Sequence, residues 1–201
     1  MSSRVISGSL VDRATLASAF VGSLRVASVA FALALTAAAA QFTLPLPFTA
    51  VPLVLTPMAV LLVGTALGSR LGAASQIAYL MAGMVGLQVF APSAVLPPGA
   101  ARLLGPTGGY LMAYPVAAFL TGYLAERGWD RRYLTSALAM LAGLLVIHTS
   151  GALWYTATVT HSIRVTLATT VAPFAALDIA KVLITAAILP AAWKLLSNTS
   201  R

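Results

Sequence analysis

The sequence predicts an all-α membrane protein, a bundle of six transmembrane helices with both termini in the cytoplasm. Of its 201 residues, 60% are hydrophobic and only 8% are charged, whereas a soluble domain carries roughly 25% charged residues. The apolar runs are long, continuous and rich in Ala and Leu, and they lack the alternation of a transmembrane β-strand. A chain in lipid must satisfy its backbone hydrogen bonds internally, so these runs predict helices.

Six segments approach the roughly 20 apolar residues that a spanning helix needs. In order, they are residues 26–42, 53–67, 73–90, 107–125, 133–155 and 167–196. The last segment is expected to hold Pro173 within its first turns. The breaks between segments are rich in prolines, glycines or polar residues, which end helices. They are the apolar, Pro-rich loop 44–52, the tight turn 68–72, the Pro-rich connection 91–105, the polar stretch 126–132 and the polar turn 156–166.

The basic residues predict the topology. Residues 1–24 are Ser-rich without an apolar core, so we expect a short cytoplasmic leader there and a single transmembrane domain over residues 25–201. With the N-terminus inside, nine of the twelve Lys and Arg lie on the cytoplasmic side: Arg4, Arg13, Arg25, Arg70, Arg127, Arg131, Arg132, Lys194 and Arg201. Only Arg102 and Arg164 lie outside. This asymmetry follows the positive-inside rule and favours an even number of spans.

Several functional classes are excluded by composition. Cysteine is absent, and two histidines with four acidic residues do not predict a metal site. No phosphate-binding loop and no Ser/His/Asp arrangement is visible, so we predict neither an enzyme nor a bound cofactor. His148, in the fifth segment, is interpreted as a hydrogen-bonded core residue. The net charge of +8 is spread between apolar segments, which argues against nucleic-acid binding.

Asp178 and Lys181 are the most informative residues, because they are charged and lie deep in the sixth apolar segment. Each costs at least about 2.5–3.5 kcal/mol at the bilayer centre. At positions i and i+3 they share one helix face and can pair. One interpretation is an ion pair that locks helix packing. The other, which we favour, is a ligand site that offers an acceptor beside a donor, as a cyclic urea would require.

A glycine-rich run before the fourth segment is the second candidate. Thr107, Gly108, Gly109 and Tyr110 follow Pro106, which can start a helix. Glycines let the backbone approach a ligand or another helix, and free N–H groups at a helix start favour an anion or a carbonyl. A simple turn with a helix cap, and an interfacial role for Tyr110, are the structural alternatives.

Two further features predict a lid and a docking face. The apolar loop 44–52 could cover a pocket, although a packed connection explains it equally. Ala30, Ala34 and Ala38 repeat every four residues in the first segment, a pattern that lets helices approach closely. Gly64, Gly68 and Gly72 repeat the same spacing, and internal packing is the alternative for both sets.

The motifs together resemble one family. The run from Tyr79 to Phe90, the run from Leu103 to Leu111, Pro45-Leu46-Pro47-Phe48-Thr49 and Asp178-Ile179-Ala180-Lys181 look like the BioY family, the biotin-specific S components of energy-coupling factor transporters. The resemblance covers about residues 40–192. It implies six spans, biotin bound near the outer face, and enclosure of the ligand by the first loop, with Phe48 and Thr49, and by the connection 91–105. It further implies that Asp178 and Lys181 line the site.

The resemblance also implies partners and exposes two departures. The implied partners, besides the lipid bilayer, are a transmembrane coupling protein that would dock on Ala30, Ala34 and Ala38, and two ATPases; a homo-oligomer is left open. The family often has a Gln after the first loop, where this chain reads Val54-Leu55-Thr56-Pro57, so Thr56 is the expected replacement. Residues 91–102 are Pro-rich rather than Gly-rich. The alternatives are an S component for another vitamin and a structural membrane subunit without a ligand.

Overall fold

The computed structural model describes residues 21–44, 46, 49, 51–93 and 96–199. Its helices are α1 (Val21–Gln41), α2 (Thr56–Leu67), α3 (Ser69–Met84), α4 (Ala101–Leu104), α5 (Gly108–Ala125), α6 (Tyr133–Tyr155), α7 (Ile163–Thr166), α8 (Ala172–Thr185) and α9 (Ile188–Thr199). A 3-10 turn at Trp129–Arg131 precedes α6, and the π-helical turns Thr156–Thr160 and Leu167–Val171 flank α7.

Three helical stretches among the described residues are long and apolar enough to cross a membrane: Gly22–Gln41, Tyr133–Thr160 and Ile163–Leu195. The prediction of an α-helical membrane protein is therefore confirmed. Helices α2 and α3 have 12 and 16 residues, and at 1.5 Å per residue they extend about 18 and about 24 Å, less than a hydrocarbon core of about 30 Å. The count of six spans and the orientation of the termini stay predictions.

The first loop contains a short β-hairpin that the sequence did not predict. Strand β1 (Thr43–Leu44) pairs antiparallel with β2 (Leu53–Val54), with Thr43 opposite Val54. Pro52 directly precedes β2 and favours extended backbone before it. This two-pair ladder is a local addition to the all-α fold that the sequence predicted, and it holds the two ends of the loop together.

Helix α3 ends at Met84, earlier than the predicted end of the third segment at Phe90. Gly86 adopts a left-handed φ of 97°, which costs little only for glycine. The N–H groups of Gly86 and Leu87 then donate to the carbonyls of Gly83 and Ala82, each at 3.1 Å. These two bonds form a Schellman cap, so the chain turns away and returns Phe90 to the core.

The sixth predicted segment is divided into the π-helical turn Leu167–Val171, α8 and α9. Pro173 lies in the first turn of α8, as expected. The break near Ala186 precedes Pro190, which lies in the first turn of α9. Proline cannot donate to a carbonyl four residues earlier but is tolerated in a first turn, so the helix ends and restarts there.

The centre of the bundle is α5, which contacts α2 and α3 through small residues. A Cβ on Gly64 would lie 2.7 Å from Ala118 Cα, and one on Gly72 would lie 2.9 Å from Gly64 Cα. Gly122 is equally tight against the turn between α2 and α3. The spacing that predicted close helix contacts therefore serves internal packing at Gly64 and Gly72. Beside it, Glu126 accepts hydrogen bonds from the Ser69 N–H at 2.7 Å and its hydroxyl at 2.8 Å, and so caps α3.

Candidate functional site

A cavity of about 760 Å³ lies between the first loop, the connection that follows α3, and helices α5, α6 and α8. Its volume is within the roughly 300–1,000 Å³ of small-molecule sites. Most of its wall is apolar or aromatic, including Tyr79, Phe90 and Tyr114. A few polar and charged groups interrupt this wall, and they determine what the cavity can bind.

Asp178 is the acidic group of the cavity and is held from two sides. Its side chain is only 9% exposed. Oδ1 accepts a hydrogen bond from Lys181 Nζ at 2.9 Å, and Oδ2 lies 3.1 Å from His148 Nε2. Both α6 and α8 therefore contribute to this arrangement. Each carboxylate oxygen keeps a lone pair that a ligand donor can use.

Lys181 lies beside Asp178 but is not among the described residues that line the main cavity. Its Nζ also donates to the Val54 carbonyl of β2 at 3.1 Å. The residue lines a smaller, shallower pocket with Phe42 and Leu44, and the wall of the main cavity is formed without it. Lys181 thus links Asp178 to the base of the hairpin, and a direct contact with a ligand stays a prediction.

Arg102, from the short helix α4, is the basic group of the cavity wall. The residue is 8% exposed. Nη1 donates to the Leu96 carbonyl at 3.3 Å, Nη2 donates to the Ala91 carbonyl, and the buried Nε has no partner within the described part of the chain. Burial lowers the pKa of the guanidinium, an effect that Tyr79 opposes. An arginine stays protonated even so, which makes this a cation suited to an anionic group.

The glycine-rich run contributes two of its four predicted residues to the cavity, Thr107 and Tyr110. Gly108 and Gly109 pack against protein instead: a Cβ on Gly108 would lie 2.7 Å from Leu103 C, and one on Gly109 would lie 2.7 Å from Ser150 O. The Ser150 hydroxyl donates to the Gly109 carbonyl at 2.9 Å. These glycines allow α6 to approach the start of α5. Of the two uses predicted for them, contact with a ligand and contact with another helix, the structure shows the second.

Some of the other residues that the sequence predicted for the site line the cavity, and others lie elsewhere. Thr49 and Thr56 line the cavity, whereas Phe48 lies outside the described residues. Ala30, Ala34 and Ala38 are all exposed on one side of α1. The sequence interpretation missed Arg102 and His148 as cavity residues. The signals were present, since Arg102 is a lone charge in a Pro-rich connection and His148 a lone histidine in an apolar span.

Among the described residues, the helical membrane fold surrounds a mainly apolar cavity whose wall holds the carboxylate of Asp178 and the guanidinium of Arg102, an arrangement typical of a small-molecule site. Comparison with known proteins identifies the family to which the chain belongs. The chain belongs to the BioY family, whose sequence profile matches residues 12–198. The predicted family is thereby confirmed.

Individual relatives agree with the family match. A probable biotin transporter BioY of Pyrococcus horikoshii is 43% identical over 129 residues, which cover 64% of this chain and 72% of the relative. The biotin transporter BioY of Thermotoga maritima is 35% identical over 147 residues, 71% of this chain and 81% of the relative. A crystal structure of the S-component for biotin from an ECF-type ABC transporter superposes with a TM-score of 0.73 at 25% identity, covering 91% of this chain and 92% of that one. These relatives are named as transporters and not as enzymes.

Proposed function

We propose that this protein binds biotin and acts as the substrate-specific subunit of an energy-coupling factor transporter. The observation that carries the proposal is the doubly held Asp178 carboxylate in the wall of a partly enclosed, mainly apolar cavity. The ureido ring of biotin brings N–H donors, for which a fixed carboxylate is a strong acceptor. The family and the names of the relatives point to the same ligand.

The other end of biotin suits Arg102. Biotin carries a carboxylate at the end of an aliphatic chain, and the guanidinium of Arg102, whose Nε has no partner among the described residues, is a charged donor suited to it. The aromatic residues of the wall, among them Tyr79 and Phe90, would pack against the bicyclic ring and the chain. The proposed contacts also include four residues of the cavity wall: Thr49, Thr56, Thr107 and Tyr110. Lys181 holds the Asp178 carboxylate in place through its hydrogen bond to Oδ1.

The proposed assembly is the one that the family implies. A transmembrane coupling protein would dock on the exposed Ala30, Ala34 and Ala38 of α1, and two ATPases would supply the energy. Residence in the cytoplasmic membrane, six spans and cytoplasmic termini belong to the same proposal. So does the division into a leader over residues 1–24 and one transmembrane domain. The chain itself would bind its ligand without a cofactor.

The test is a binding isotherm of biotin on the purified protein, repeated with biotin amide, in which the carboxylate is neutral. We expect the wild-type protein to bind biotin at least tenfold more tightly than the amide. Arg102→Met should lower biotin affinity at least tenfold, which is about 1.4 kcal/mol, and should remove most of the preference over the amide. Arg102→Lys keeps the charge and should retain part of that preference.

Two results would contradict the proposal. An equal loss of affinity for biotin and for its amide in Arg102→Met would mean that Arg102 only supports the loop through the Leu96 and Ala91 carbonyls. Failure of the wild-type protein to bind biotin, with binding of a different vitamin, would assign the cavity to another ligand.

A further inference from the structure

His148 supplies one of the two contacts that hold the Asp178 carboxylate in the proposed biotin site. The histidine lies on α6 and lines the cavity, with 15% of its side chain exposed. Its Nε2 is 3.1 Å from Asp178 Oδ2, and its ring meets the Tyr110 ring edge-on with centroids 6.2 Å apart. The imidazole is therefore fixed between α5 and α8.

The two nitrogens of this ring have different surroundings. The ammonium group of Lys181 lies 2.9 Å from Asp178 Oδ1, and this positive charge favours the ionised carboxylate. An ionised carboxylate only accepts hydrogen bonds, so the proton between His148 and Asp178 belongs to Nε2. Nδ1 is buried and has no hydrogen-bond partner among the described residues. An unpaired N–H of a charged imidazolium at that position would cost much more than an unpaired lone pair. The arrangement therefore favours the neutral ring with its proton on Nε2.

We propose that His148 is a positioning residue for ligand recognition: as a neutral Nε2–H donor it fixes the Asp178 carboxylate, together with Lys181, so that the carboxylate can only accept from a ligand. With one donor on each oxygen, the carboxylate cannot rotate without losing a bond. Its remaining lone pairs then select ligands that bring an N–H donor and reject those that bring an acceptor. This inference rests on the proposed binding of biotin at Asp178.

The first experiment needs no ligand. The chain has only two histidines, His148 and His161, and His161 is exposed at the turn after α6. In protein labelled with 15N-histidine, the substitution His161→Gln leaves the ring of His148 alone in the nitrogen NMR spectrum. We expect the signal of a ring with a proton on Nε2 and none on Nδ1. A proton on Nδ1 would overturn the assignment.

The second experiment measures biotin affinity in matched variants. His148→Leu removes the donor at similar volume and should lower the affinity at least tenfold. His148→Gln can place an amide N–H near the position of Nε2 and should stay within threefold of wild type. His161→Gln is the control and should bind as wild type. Thermal unfolding of each ligand-free variant shows whether a loss of affinity follows a loss of stability. Equal losses in His148→Leu and His148→Gln, or no loss in either, would refute the proposal.

The third measurement separates positioning from packing. In a carbamate analogue of biotin, oxygen replaces one ring N–H, so a donor becomes an acceptor. We expect the wild-type protein to bind this analogue at least tenfold more weakly than biotin, and His148→Leu to reduce that difference to less than threefold. An unchanged difference would show that His148 only fills space. If the wild-type protein binds no biotin, the proposed function fails, while the NMR result still decides the protonation of His148.

Discussion

Replacement of Asp178 by Asn tests the centre of the candidate site. The change keeps the shape of the side chain but removes the counter-ion of Lys181, whose side chain is 19% exposed. Leaving one partner of a buried pair alone costs roughly 3–5 kcal/mol. Lys181 keeps its bond to the Val54 carbonyl at 3.1 Å and some contact with solvent, so we expect the lower end, about 3 kcal/mol. Chemical unfolding of the detergent-solubilised protein measures this loss of stability.

The same change should weaken ligand binding separately from stability. An amide is a weaker acceptor than a carboxylate, so we expect Asp178→Asn to lower biotin affinity at least tenfold, about 1.4 kcal/mol, by isothermal titration calorimetry. Lys181→Met should also lower affinity, by removing one of the two groups that hold the carboxylate. The double variant Asp178→Asn/Lys181→Met contains neither charge and should recover most of the stability but not the affinity.

One outcome would refute this reasoning. Near-native biotin affinity in the double variant would mean that the pair serves only to pack α8, and the interpretation as a locking ion pair would then be correct. Recovery of stability alone would separate the two roles, because the ligand would still lack its acceptor.

Three further predictions concern the surfaces around the site. Ala34→Leu should weaken assembly with the coupling protein in a pull-down while leaving biotin affinity unchanged, because a bulky residue separates close-packed helices. The control is Ala74→Leu, at an exposed alanine of α3. Equal assembly in both variants would show that Ala34 is not part of the docking surface. In Arg70→Cys the thiol should react with an impermeant reagent only from the cytoplasm, and in Ser162→Cys only from outside, since the basic residues favour that topology. Reaction of Ser162→Cys only from the cytoplasm would overturn the prediction of six spans. A spin label at Thr49 should lose mobility when biotin is added, because a lid becomes ordered on closure; identical spectra would exclude the lid.

The sequence singled out Asp178, which lines the cavity, because charge inside an apolar span is rare. Asp178 stands out in this way, and its partner at i+3 follows from helix geometry. The direction of the Lys181 stem could not be predicted, because four rotatable bonds let the ammonium reach Val54, a residue distant in the chain. Gly108 and Gly109 show the same limit, since close backbone approach looks alike in sequence whether the neighbour is a ligand or α6.

Helix boundaries were predicted less well than helix identities. Apolar composition continues past Met84, so hydropathy alone extended α3 to Phe90, whereas the cap at Gly86 ends it. His148 and Arg102 were missed for another reason. Arg102 is the one charged residue of its connection and His148 the one histidine of its segment, and the role of each depends on which distant residue it contacts.

Helix α5 has a different role at each of its two ends. Near the end of α5, Gly122 leaves no room for even one methyl group between the backbones. The opposite end of the same helix supplies Tyr110 and Tyr114 to the cavity. Gly109, near that end, is equally tight against Trp154 and Ser150 of α6, so close contacts hold α5 at both ends and its part of the cavity wall is in place without a ligand.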